Sequence, residues 1–130
     1  MKDQLIEFET AKLAKEKGFK SKSRYYDGSG KLVDTPNISE NDYSHTNNMM
    51  QRFRYEAPTQ SLLQRWLREL YDIHISIDRT FNKYKKEWKY TTRIGINIPI
   101  RVLSSHEKYE EALEEGLQQS LNLIKNDNRN

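Results

Sequence analysis

At 130 residues, with 35% hydrophobic and 32% charged side chains and a mean hydropathy of −1.02, the chain can build one modest core under a well-solvated surface. It has no cysteine, which excludes disulfides, thiolate catalysis and sulfur-ligated metal sites. A net charge of +3 and a pI of about 9.0 are only mildly basic, so the distribution of charge says more about partners than its sum.

The opening Met1-Lys2-Asp3-Gln4-Leu5 has no apolar run, unlike a secretory signal, and nothing approaches the ~18 apolar residues of a membrane span. The expectation is one domain over residues 1–130, cytoplasmic in its host cell. Asp3 to Lys17 is rich in helix formers, and Gly18 suits a left-handed C-terminal cap. With Phe19 packing back on the last turn, this makes an N-terminal helical segment over 1–19. Lys22 to Asp34, turning at Asp27-Gly28-Ser29-Gly30, reads as a short hairpin in which either glycine could supply a positive φ. Residues 35–56 are polar and largely without period, and read as a long loop whose end, Met49 to Tyr55, could pair as a strand.

A core helix–hairpin–helix follows over 59–125. Thr59 is a natural N-cap after Pro58, and Leu62, Leu63, Trp66, Leu67 and Leu70 form an apolar stripe ending at Tyr71-Asp72. Ile73, Ile75 and Ile77 alternate with His74, Ser76 and Asp78. After a charged turn over Arg79 to Glu87, the alternation resumes with Trp88, Tyr90, Thr92, Ile94, Ile96 and Ile98 on one face and Lys89, Thr91, Arg93, Gly95 and Asn97 on the other. Two such strands should pair antiparallel, with the first set of each facing the core. Beyond Pro99 the period becomes helical, with Tyr109, Leu113, Gly116, Leu117, Ser120, Leu121 and Ile124 on one side. Ser104, three residues before Glu107, has capping-box spacing, and a mid-helix Gly116 implies close approach to the sheet. The fold class expected is α+β: an antiparallel sheet of the 73–78 and 87–98 strands, extended by the 22–34 hairpin and residues 50–55, with helices on one face.

Three segments carry a resemblance: Glu9-Thr10-Ala11-Lys12-Leu13-Ala14-Lys15-Glu16-Lys17-Gly18-Phe19, Ala57-Pro58-Thr59-Gln60-Ser61-Leu62-Leu63-Gln64-Arg65-Trp66-Leu67-Arg68-Glu69, and Tyr109-Glu110-Glu111-Ala112-Leu113-Glu114-Glu115-Gly116-Leu117. In this order they are similar to a group of small uncharacterised proteins of Bacteroidetes genomes and the phages that infect them. The Pro58 to Arg68 string is the specific part. The resemblance implies a context, that of a phage or mobile-element accessory protein. It assigns no activity, so it carries over no functional residue.

The richest constellation runs from Arg79 to Arg93. Arg79, Lys83, Lys85, Lys86, Lys89 and Arg93 stand against Glu87 alone, for a net +5, with Phe81, Tyr84, Trp88 and Tyr90 interleaved. Cations that meet phosphates and rings on which bases stack are what a nucleic-acid or nucleotide binder needs. Parity turns Trp88 and Tyr90 inward and leaves Phe81 and Tyr84 free for stacking. The expected ligand-binding residues are therefore Arg79, Lys83, Lys85, Lys86, Lys89, Arg93, Phe81 and Tyr84. The competing reading has the lysines merely solvating a hairpin tip and guarding a sheet edge.

The helix–hairpin–helix order resembles, at fold level only, a double-stranded-RNA-binding domain. Such a domain wants basic residues at the start of its last helix, where this chain has Glu107, Glu110 and Glu111. Arg52, Arg54, Arg65 and Arg68 could form a second basic patch, or could pair ordinarily with Glu56 and Glu69. His74, Ser76 and Asp78 share a strand face at ~6.5–7 Å spacing, too far apart for His74 and Asp78 to hold one ion unaided. Glu110, Glu111, Glu114 and Glu115 read as a solvated helix face. No phosphate loop or nucleophile triad of known spacing is present. The sequence calls for no cofactor, no metal and no enzyme. It points to a binding module for nucleic acid or a nucleotide. The alternatives are a protein–protein or self-assembling accessory factor, working through a sheet edge or the 35–56 loop, and a factor that sequesters a host nucleotide signal.

Overall fold

The computed structural model describes residues 3–20, 24–33, 54–96 and 100–124. The fold is α+β, built from helices α1 (Phe8–Glu16), α2 (Gln60–Tyr71) and α3 (Tyr109–Asn122) and strands β1 (Tyr25–Tyr26), β2 (Leu32–Val33), β3 (Tyr55–Glu56), β4 (Ile73–Asn82), β5 (Glu87–Ile96) and β6 (Ile100–His106). The strands form two antiparallel sheets, in orders β2-β1-β3 and β4-β5-β6. The hairpin near the N-terminus thus joins a small sheet of its own with β3 and does not extend the long one. Residues 34–53, where most of the long loop was expected, lie outside the described residues.

The long sheet is a meander covered on one face by α2 and α3. In β4 and β5 the expected parity holds where it matters for burial: Ile73, Ile75, Thr92 and Ile94 are buried, and Ile75 stands directly opposite Ile94. Leu63 and Leu67 from α2 and Leu113, Leu117 and Leu121 from α3 close over them. Each such side chain contributes roughly 1.5–3 kcal/mol of burial. Thr59 caps α2, accepting from the Leu62 N–H at 3.3 Å, and Asp72 ends it in the left-handed region at φ 55°.

Two expectations about the last helix are corrected. Residues 100–106 form β6, so α3 starts only at Tyr109, and its N-cap residue Lys108 makes no side-chain cap. Ser104 lies in that strand, its hydroxyl donating to the Glu115 carboxyl. Glu114 is buried and not solvated. Its carboxyl accepts from the Glu7 N–H at 2.9 Å, from the Thr10 hydroxyl and from the Gln60 side-chain amide at 2.9 Å. That polar knot ties the start of α1 to α2 and α3, supplying from a distance the cap that Glu7 itself does not make.

The rest of α1 is held by rings. Phe8 packs edge-on against Tyr26 and Tyr55 of the small sheet, at 5.6 and 5.5 Å. Gly18 ends the helix turn at φ 92° as expected. Phe19 beyond it is buried edge-on against Trp66 of α2 at 5.2 Å. In the small hairpin the left-handed position is Gly30, at φ 89°, and Asp27 organises the turn by accepting from Ser29 and Lys31.

Candidate functional site

The β4–β5 hairpin is longer than its sequence suggests. The turn expected over Arg79 to Glu87 occupies only Lys83, Tyr84, Lys85 and Lys86, because Thr80 and Phe81 continue the ladder opposite Lys89 and Trp88. Asn82 stops the strand: its side-chain oxygen accepts from the N–H groups of Tyr84 and Lys85 at 3.0 and 3.2 Å, as an Asx turn does. Lys86 then adopts φ 52°, the left-handed position that leads a four-residue loop back into its strand.

The cover of the sheet ends at one cross-strand row, Arg79–Tyr90–His106. There the Tyr109 ring, at the first turn of α3, meets Tyr90 perpendicularly at 5.9 Å, and β6 finishes. Beyond that row, among the described residues, the ribbon is a free arm of three further pairs and the turn, reaching out by roughly 10 Å in its paired part.

The eight expected site residues fall into three groups along the hairpin, with Arg79 in the bounding row and Arg93 below it, beside the third strand. Arg79 and Phe81 lie on the face that further down meets the helices, together with Trp88. The Arg79 guanidinium sits 4.2 Å over the Trp88 ring, and the Phe81 and Trp88 rings lie 5.1 Å apart, tilted by 43°. Lys83, Tyr84, Lys85 and Lys86 form the exposed tip, with the Lys83 ammonium 5.5 Å from the Tyr84 ring. Lys89 and Arg93 lie on the opposite face, where each has an acid beside it: Glu87 at 3.6 Å and Asp78 at 2.7 Å. The site is therefore not one outward face. Its positive charge is least compensated at the tip, which also carries Tyr84, while Phe81 and Trp88 lie on the inner side.

Trp88, expected in the core, is 49% exposed, as is Phe81, while Tyr84 is 87% exposed. Parity alone turned Trp88 inward. What parity lacks is where the covering helix stops, and here it stops two pairs short of Trp88.

The other candidates resolve into structure. Arg54 and Arg65 pair with Glu56 and Glu69 at 3.2 and 2.9 Å, and Arg52 lies outside the described residues. His74 meets Asp72 at 2.7 Å while Asp78 meets Arg93, so these two ends of the polar strand face have separate partners. Among the described residues no group of three or more His, Asp or Glu is placed to hold a metal ion. A small cleft of about 190 Å³ between the starts of α2 and α3 is lined by Asp3, Gln60, Gln64, Tyr109, Glu110 and Leu113, a mixed polar and apolar wall.

One arrangement escaped the sequence reading. Glu115 accepts from Ser104 at 2.9 Å and meets the His106 Nε2 at 2.7 Å. Burial pushes the Glu115 carboxyl up, but the His106 and Ser104 hydrogen bonds outweigh it and hold it below the usual carboxylate range. Hydroxyl and imidazole both turn to the carboxyl, so the trio pins β6 to α3.

At the start of α3, Glu110 and Glu111 present negative charge where a duplex-RNA module would meet phosphate. No described helix is long and apolar enough to cross a membrane. Comparison with protein-family models, with curated proteins and with solved structures found no match to this chain.

Proposed function

We propose that the protein is a non-enzymatic binding module for an anionic ligand, nucleic acid or a nucleotide, which it engages through the free arm of the β4–β5 hairpin. The context implied by its resemblance is that of a phage or mobile-element accessory protein. One observation carries the reading: Lys83, Lys85 and Lys86 crowd a projecting turn alongside exposed Tyr84, Phe81 and Trp88, beyond the helices and the third strand. An arm kept merely for solubility has no need to expose three rings, and exposed aromatic surface next to uncompensated cations suits phosphate and base together.

The test is a charge reversal, Lys83→Glu, Lys85→Glu and Lys86→Glu combined. These side chains lie outside the core, so circular dichroism and thermal midpoint should stay near those of the parent. Oligonucleotide affinity at low salt should fall by at least about tenfold, with a shallower salt dependence. Unchanged affinity in a folded triple variant would overturn the reading. The self-assembly alternative has its own observation, Ile100 and Val102 at 60% and 61% exposure on the edge strand β6. A sharp, salt-insensitive dimer in native mass spectrometry that retains no nucleotide and binds no oligonucleotide is the result that would favour it.

A further inference from the structure

The two faces of the arm are chemically unlike, and the difference bears on which nucleic acid it takes. On the outer face Lys89 has Glu87 beside it and Thr80 opposite, and on the same face below the arm Arg93 pairs with Asp78 near the hydroxyls of Thr91 and Ser105. On the inner face lie the rings, Phe81 and Trp88, each about half exposed, with Arg79 spread over the indole. The inner face is bounded at its base by Tyr90 and Tyr109, whose rings meet perpendicularly at 5.9 Å.

Resting on the nucleic-acid reading above, we infer that the ligand is single-stranded: unpaired bases stack on the Phe81–Trp88 platform while their phosphates reach Lys83, Lys85 and Lys86 at the tip. An aromatic platform gains affinity only from a base whose flat face is free, which a paired base inside a duplex does not offer. Arg79, already packed on Trp88, keeps the indole oriented and adds a cation beside the stacked base. The tip lysines supply attraction without regard to sequence, and the rings supply the choice of strand state.

The chain has two tryptophans, and Trp66 packs against Phe19 and Tyr71, away from the arm. In a Trp66→Phe background the fluorescence therefore reports Trp88 alone. The probes are an oligothymidylate of about twelve nucleotides and a blunt duplex of equal length, a span within the usual site sizes of single-strand binders. The single strand should quench Trp88 and bind at least about tenfold tighter than the duplex. Trp88→Leu and Phe81→Leu should each weaken single-strand binding by about ten- to a hundredfold while leaving the salt slope unchanged, and Trp88→Phe should recover most of the loss. Equal affinity for the two probes, or a folded Trp88→Leu variant that binds the oligothymidylate as the parent does, overturns this inference and leaves the broader reading standing. Failure of the parent to bind either probe or a nucleotide at low salt overturns that reading, and this inference with it.

Discussion

Glu7 and Glu114 meet at the start of α1, and the loss of either charge should have opposite consequences. Glu114 is buried with three donors aimed at its two oxygens, the Glu7 N–H, the Thr10 hydroxyl and the Gln60 amide, and Thr10 already accepts from Gln118 at 2.9 Å. Glu114→Gln would set an NH2 group among those donors and strand at least one of them, a loss of about 1–3 kcal/mol. Glu7 has the reverse problem. Partial burial raises its carboxyl pKa, and the nearby charges of Glu114 and Glu111 raise it further. A carboxyl whose folded pKa exceeds its unfolded value opposes folding at neutral pH. That penalty fades as pH falls through the folded value toward the unfolded one. Glu7→Gln should therefore be the more stable protein at about pH 7, with its advantage shrinking toward about pH 4. Urea midpoints at the two pH values check both variants. A Glu7→Gln protein no more stable than the parent at neutral pH would show that the backbone knot, and not the charge, sets the local energetics.

Among the elements, α3 is the one that tolerates least change, and Gly116 is the reason. A Cβ there would stand 2.7 Å from the Thr92 Cγ2 and 3.0 Å from the Ile75 Cγ2. Neither methyl can easily retreat, because Thr92 is fully buried and its hydroxyl donates to the Ala112 carbonyl at 2.7 Å. Gly116→Ala gains ~1 kcal/mol of helix propensity and should still destabilise by about 1–2 kcal/mol net through overpacking. In a Thr92→Ser background, which removes the methyl and keeps the hydroxyl, most of that loss should vanish. A double-mutant cycle by chemical denaturation reads the coupling directly. This glycine was legible from the sequence, as were α2 with its Thr59 cap and the two-faced strands, because each rests on a strong local rule. β6 was not legible, since Ser104 and Glu107 mimic a capping box and a bulge between Thr91 and Arg93 shifts the register to the third strand. The small sheet was half legible: its turn glycines show, but two-residue strands have no period. Glu114 could have been placed from spacing alone, three residues before Leu117 and seven before Leu121. The eight expected site residues all fall on one hairpin, but dividing them between two faces and a tip requires knowing that β4 runs on to Asn82 and that the helix cover ends at Tyr90.

At the scale of the whole molecule the same geometry implies a gradient of stability. The buried centre, where α2 and α3 close over Ile73, Ile75, Thr92 and Ile94, can open only if both helices leave the sheet together. The free arm is bounded by no third strand or helix among the described residues, and its ladder hydrogen bonds lie close to water. Native-state hydrogen exchange should therefore divide the long hairpin in two. The paired amides around Ile75 and Ile94 should exchange only with global unfolding, and those from Thr80 to Lys89 through local opening at a free energy several kcal/mol lower. Protection of the arm equal to that at Ile94 would mean that something packs on it, and would undermine its description as free. The division also gives a binding readout that does not depend on affinity: an oligonucleotide held by the arm should slow exchange between Thr80 and Lys89, while the slowest amides of β5 should change only by the mass-action stabilisation common to any ligand. Slowing confined to the core, with the arm unaltered, would place the ligand elsewhere on the molecule.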